Sequence, residues 1–69
     1  DYERASTDYT AALQLDPANV PALVNRGIVH RLGGRSDAAI ADFSDALRHD
    51  PRNVVALNSR GNAHADLNQ

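Results

Sequence analysis

The chain has 69 residues and a formal net charge of −2, with nine acidic residues against seven Arg and with neither Lys nor Cys. At this length folding hides only about 60 % of the unfolded surface, which limits the chain to one small domain with a thin core. The negative charge argues against nucleic acid or anionic lipid as a partner. Without Cys, neither disulfides nor thiolate ligands can add stability. We expect no membrane-spanning stretch and no targeting segment, because every apolar run is shorter than about 20 residues. The compartment stays open.

Four helices are predicted along the chain, from apolar residues that recur every three or four positions. The first covers about residues 1–15 and the second residues 20–32. Gly33-Gly34 then supplies the left-handed backbone that ends a helix and reverses the chain. The third helix covers residues 36–49 and the fourth residues 54–67. Adjacent helices joined by such short turns are expected to be antiparallel.

The third helix carries the strongest end signals. Ser36 is predicted as its N-cap, followed by Asp37 in the first turn. Arg48 and His49 lie near the negative end of the helix dipole, where a cation is favoured. The dipeptide Asp50-Pro51 ends the helix, because a residue before Pro disfavours the helical conformation.

The sequence repeats with a period of 34 residues. When the chain is aligned with itself at that offset, 13 of 35 pairs are identical, against two or three expected by chance (about 7 %). The matches include Asp8 with Asp42, Arg26 with Arg60, and Gly27 with Gly61. Each period contains two helices, so the repeating unit is a helical hairpin.

The residues at fixed places in this period resemble the tetratricopeptide repeat. Leu23 stands where that pattern has Trp, and Gly27, Ala39, Phe43 and Pro51 stand at its Gly, Ala, aromatic and Pro positions. The small residues let backbones approach, and the aromatic ring fills the space between hairpins. The resemblance implies an all-α fold of about four helices, with antiparallel hairpins stacked as an α-solenoid.

The same resemblance divides the chain into parts of three repeats. Residues 1–19 correspond to the second helix of one repeat, residues 20–53 to a complete repeat, and residues 54–69 to the first helix of the next. We therefore expect a piece of a longer array whose terminal helices lack a neighbour. Their open faces would be covered by a second copy, by further parts of a longer protein, or by a partner.

Arg26 and Arg60 replace the Leu of the family pattern in both copies. An Asp precedes each Arg by 18 residues, Asp8 in the first case and Asp42 in the second. The matched spacing predicts two structural ion pairs, Asp8 with Arg26 and Asp42 with Arg60. The alternative is that each Arg anchors a ligand.

His30 and His64 replace the Tyr of the pattern, also in both copies. A metal site would need a third ligand, so we expect each imidazole to pack like the Tyr it replaces and to satisfy its nitrogens locally. His49, at a helix end, is expected to serve as a cap. The chain carries no P-loop, no nucleophile elbow and no His-Glu-x-x-His motif. We predict a protein that is not an enzyme and uses no cofactor or metal.

The resemblance implies a concave wall lined by the first helix of each hairpin, where the family typically grips peptides. The residues expected to contact a peptide or protein partner are Val24, Asn25, Ile28 and Arg31, with Leu32, on one helix, and Asn58, Ser59, Asn62 and Ala65, with Asp66, on the other. Asn58 and Asn62, four residues apart, share a helix face and offer donors and acceptors to a peptide backbone.

The predicted function is therefore a non-enzymatic interaction module that binds a peptide segment or a protein surface in its groove. Some members of the family hold a peptide carboxylate with Lys, Asn and Arg, and the absence of Lys argues against that mode here. The alternative function is structural, with hairpins that stack into a homo-oligomer through the terminal helices or that act as a spacer in a larger protein.

Overall fold

The computed structural model describes residues 1–68, and over that range the chain forms four α-helices. They are α1 (Tyr2–Leu15), α2 (Val20–Leu32), α3 (Ser36–His49) and α4 (Val54–Leu67). The predicted helix spans are thereby confirmed, including the break at the two glycines. Each helix packs on the next in the chain, and α2 also contacts α4.

The first helix of each hairpin begins at an Asn whose side chain caps it. The Ala22 amide donates to Asn19 Oδ1 at 3.1 Å, and the Ala56 amide donates to Asn53 Oδ1 at 3.0 Å. Such a cap satisfies one of the amides that a helix leaves unpaired at its start. The two caps lie one period apart, so the repeat in sequence is also a repeat in local structure.

The turn between α2 and α3 depends on one glycine. Gly34 has a φ of 82°, whereas Gly33 keeps a φ of −84°. The Arg35 amide donates to the His30 carbonyl at 2.8 Å, which closes the end of α2. Since L side chains rarely adopt a positive φ, the left-handed geometry expected of the pair is required at Gly34 alone.

The predicted cap of α3 is wrong. Arg35, not Ser36, occupies the N-cap position, and Ser36 is the first residue of the helix. Ser36 is buried, and its hydroxyl donates to Asp66 Oδ2 of α4 at 3.1 Å. The hydroxyl binds a neighbouring helix because α4 packs directly over the start of α3.

The core lies around the central hairpin of α2 and α3. Phe43 of α3 is fully buried, and a Cβ placed on Gly27 of α2 would lie 2.6 Å from its ring. The ring therefore occupies the space that the missing side chain leaves. The other buried apolar residues are mostly small: Leu13, Ala22, Leu23, Val24, Ala39, Ala46, Ala56 and Ala63.

No helix in the described part of the chain is both long enough and apolar enough to span a bilayer.

Candidate functional site

The residues predicted to contact a partner differ in how far they reach the surface of α2. Asn25 and Leu32 are exposed, and Ile28 is partly buried against the core. Val24 is only 7 % exposed and belongs to the core itself. Its burial follows from the central position of α2, which α1, α3 and α4 all contact.

The corresponding residues of α4 are more accessible. Asn58, Asn62 and Ala65 are exposed, and Ser59 is partly buried. Asn58 and Asn62 lie one helical turn apart, so their carboxamides stand on the same side of α4. We use the name α2–α4 face for the accessible residues of the two helices, which are Asn25, Ile28, Leu32, Asn58, Ser59, Asn62 and Ala65.

A hydrogen-bonded cluster joins α2 to α4 at this face. The Arg31 guanidinium donates to both oxygens of Asp66, at 2.8 Å through Nε and at 3.3 Å through Nη2. Ser36 of α3 donates to the same carboxylate. The cation that the sequence offered to a ligand is therefore paired within the chain.

The cluster also changes the acidity of its carboxyl group. The hydrogen bond from Arg31 lowers the pKa of Asp66 below its ordinary value. Partial desolvation opposes this shift, and the Ser36 hydroxyl adds to it. Asp66 is consequently ionised at neutral pH, and its negative charge offsets that of Arg31.

A second cluster lies inside the central hairpin. Arg26 of α2 donates to both oxygens of Asp42 on α3, at 2.8 and 2.7 Å, and to the Thr10 hydroxyl of α1 at 3.1 Å. His30 Nε2 lies 3.6 Å from the same carboxylate. The hydrogen bond to Asp42 raises the pKa of Arg26 against the opposing effect of burial. This cluster ties three helices together.

The predicted pairing of Asp8 with Arg26, and of Asp42 with Arg60, is wrong. Arg26 binds the Asp that follows it by 16 residues, not the one that precedes it by 18. Arg60 donates instead to the Ser44 hydroxyl at 3.3 Å. Since Thr10 and Ser44 each precede their Arg by 16 residues, the recurring link between hairpins is from hydroxyl to guanidinium. The sequence signal was present in the match of Thr10 with Ser44, one period apart.

The histidines lie in different surroundings. His30 is partly buried beside Asp42, whereas His64 is exposed on α4. Within residues 1–68 no three His, Asp or Glu side chains gather as a metal-ligand set. The three positions therefore offer no built metal centre in the described part.

A cavity of about 250 Å³ opens between the start of α1 and the end of α2. The sequence did not point to it. Glu3 and Arg35 lie on its wall, with 3.7 Å between Oε1 and Nη2. The full lining is Asp1, Tyr2, Glu3, Ser6, Val29, His30, Gly33 and Arg35.

Comparison with known families connects this architecture to one of them. The family model described as tetratricopeptide repeat matches residues 1–54 and again residues 33–69. The chain belongs to the tetratricopeptide repeat family. A comparison with curated proteins found no match. Tetratricopeptide repeats generally mediate protein–protein interaction and are generally not enzymes.

Within the tetratricopeptide repeat family's pattern, the departure at Arg26 has a visible structural consequence. The position that carries Leu in the pattern here holds a guanidinium bound to α1 and α3. A polar, bidentate contact replaces an apolar one between the two helices of a hairpin. The substitution recurs at Arg60, whose described partner is a hydroxyl.

Helix α4 also exposes an apolar surface outside the α2–α4 face. Val54, Leu57 and Leu67 are exposed by 44 to 65 %. Within residues 1–68 no heavy atom lies within 4 Å of a Cβ placed on Gly61, in contrast to the ring that meets Gly27. The repeat position that receives an aromatic ring in the central hairpin is therefore open on α4.

Proposed function

We propose that the α2–α4 face binds an extended peptide segment of a partner protein. The observation that carries the proposal is the contact of Arg31 with Asp66, because it sets the two helices side by side with their remaining polar and apolar groups exposed. Membership of a family that mediates protein–protein interaction supports it.

The side chains of the face suit a peptide backbone. Asn58 and Asn62 each carry a carboxamide, which both donates and accepts hydrogen bonds, as a peptide group does. Ile28 and Leu32 on the neighbouring helix provide apolar area for a side chain of the ligand. A segment with alternating polar backbone and small apolar side chains fits this combination.

The charge on the face argues for a neutral ligand. Arg31 and Asp66 offset each other, so an acidic or a basic peptide gains little from either group. A peptide carboxylate would have to displace Asp66 from the guanidinium. Binding through the amides and the apolar residues should therefore depend weakly on salt concentration.

The test is a selection from a random peptide library on the wild-type chain, followed by calorimetric titration of a selected peptide. Each lost amide contact should cost about 0.5–1.5 kcal/mol, so the double variant Asn58→Ala with Asn62→Ala should bind about 5- to 100-fold more weakly. Helicity should be unchanged, because both side chains are exposed.

A matched control is Gln14→Ala, which removes an exposed carboxamide from α1. This variant should bind the selected peptide like the wild type. Equal affinity of the double variant and the wild type for every selected peptide would place the binding site elsewhere.

A further inference from the structure

We propose that this chain associates head to tail with a second copy of itself, with α1 of one copy packed on α4 of the next as α3 packs on α2 within one copy. The proposal does not depend on peptide binding at the α2–α4 face. It rests on the pseudo-symmetry of the repeat, which relates α1 to α3 and α4 to α2.

Equivalent residues of α2 and α4 differ in exactly one respect relevant here, the cover that α3 gives to α2. Leu23 on α2 is 3 % exposed, and Leu57, its equivalent on α4, is 44 % exposed. Gly27 is buried, and Gly61 is exposed. The surface that α2 uses to bind α3 is therefore repeated on α4 without an occupant among residues 1–68.

The complementary surface is repeated on α1. Ala39 and Phe43 of α3 are fully buried against α2, and their equivalents on α1, Ala5 and Tyr9, are only partly buried. Asp42 is buried, and its equivalent Asp8 is exposed. Helix α1 therefore carries the small residue, the aromatic ring and the carboxylate that α3 uses, on a side that its own chain leaves partly open.

The charges on the two surfaces match. Arg26 binds Asp42 through two hydrogen bonds in the central hairpin. In the described part of the chain, the salt bridges include none for the equivalent Arg60 or for Asp8. When α1 of a second copy takes the position of α3, Asp8 faces Arg60 as Asp42 faces Arg26. This charge complementarity selects α1 as the occupant and sets its register.

The shapes match as well. In the central hairpin the Phe43 ring fills the space above Gly27, and the same space above Gly61 is open. Tyr9 is the equivalent ring on α1 and differs by one hydroxyl. A second copy seated in this way also continues the contact between α2 and α4, because its α2 follows α4 of the first copy. The contact is heterologous, so it propagates beyond the dimer.

The test is analytical ultracentrifugation of the 69-residue chain over a concentration series. We expect the average mass to rise with concentration through the dimer to larger species. Asp8→Arg and Arg60→Asp should each weaken self-association by about tenfold or more, because like charges then meet at the contact. The control Arg52→Asp makes the same change in net charge at an exposed loop residue and should leave association unchanged.

An equimolar mixture of the two charge-reversed chains provides the decisive comparison. In the mixture the introduced Arg meets the introduced Asp at one type of junction, and the native Asp8 meets the native Arg60 at the other. Association should return to a level near that of the wild type, although each chain alone associates poorly. A general loss of stability in either variant would not produce this recovery.

Gly61→Ala tests the shape of the contact without a change in charge. Its Cβ meets open space in the single chain, so folding is not impaired, but it would meet the Tyr9 ring of a second copy. Self-association should weaken by about tenfold. A monomer at every concentration overturns the proposal. Growth that stops at the dimer and is insensitive to Asp8→Arg also overturns it, because α4 would then pair with α4.

Discussion

At the scale of single residues, Arg26 and Asp42 form the most buried ionic contact among the salt bridges of the described chain. The Asp42 side chain is 7 % exposed and that of Arg26 is 22 % exposed. Pairs of this kind add little when compared with apolar residues of the same size, but the loss of one partner leaves the other charge poorly solvated. Their contribution is therefore best measured by removing the charge of Asp42 while keeping its shape.

We expect Asp42→Asn to lower the free energy of unfolding by about 1–3 kcal/mol, since it removes a charged acceptor from two hydrogen bonds of Arg26. Urea unfolding followed by far-ultraviolet circular dichroism measures this. Asp8→Asn makes the same chemical change at the equivalent exposed position and should leave stability within about 0.5 kcal/mol of the wild type. Equal effects of the two variants would contradict the assigned pairing.

The two equivalent glycines predict opposite effects of the same substitution. Gly27→Ala places a Cβ 2.6 Å from the fully buried Phe43 ring, so it should destabilise the fold by about 1–2 kcal/mol despite the better helix propensity of Ala. Gly61→Ala meets open space and should stabilise α4 by up to about 1 kcal/mol. Thermal unfolding at low protein concentration, where single chains predominate, measures both. If Gly27→Ala is also stabilising, the close contact with Phe43 is not present in solution.

At the scale of helices, the Arg31–Asp66 contact positions α4 against α2 and α3, and its strength depends on pH. The hydrogen bond from Arg31 lowers the pKa of Asp66 in the folded chain. A carboxyl group of this kind stabilises the fold fully above its unfolded pKa, which is about 3.9. The contribution is lost as the pH falls through the lower pKa of the folded state.

We therefore expect the difference in melting temperature between the wild type and Asp66→Asn to be constant above about pH 5 and to vanish toward about pH 2. The comparison isolates Asp66, because all other carboxyl groups titrate in both proteins. Melting curves at a series of pH values provide the measurement. A difference that persists unchanged at the acid end would mean that the charge of Asp66 plays no part.

At the scale of the whole molecule, stability should decrease from the central hairpin toward both ends. Helices α2 and α3 hold Leu23, Ala39, Phe43 and Ala46, each 3 % exposed or less, whereas α1 and α4 are covered mainly on one side. In a repeat array each helix gains stability from its neighbours, so a helix with fewer neighbours opens more easily.

Amide hydrogen exchange measured by nuclear magnetic resonance should show the slowest exchange in α2 and α3. Exchange should be faster at the start of α1 and at the end of α4. At concentrations that favour self-association, protection in α1 and α4 should rise, because these helices then gain neighbours. Uniform protection of all four helices would show that the chain unfolds in one cooperative step without local opening.

The sequence by itself was sufficient for the helices and their order. Period, end signals and Gly34 act through the local backbone, so they can be recognised without knowledge of distant contacts. The likely accessible side of α4 followed in the same way, because Asn58 and Asn62 share a helix face whatever surrounds it. The burial of Val24 did not follow, because it depends on how many helices surround α2.

The partners of the charged side chains were decided only by the tertiary structure. In a sequence of period 34, an Asp that precedes an Arg by 18 residues implies another that follows it by 16, so the repeat cannot distinguish the two pairings. Arg26 binds Asp42 because α3 packs on α2 at that level, and Ser36 binds Asp66 because α4 lies over the start of α3. Local preferences determine each helix, whereas contacts between helices depend on side chains that are far apart in the chain and come together only when the hairpins pack.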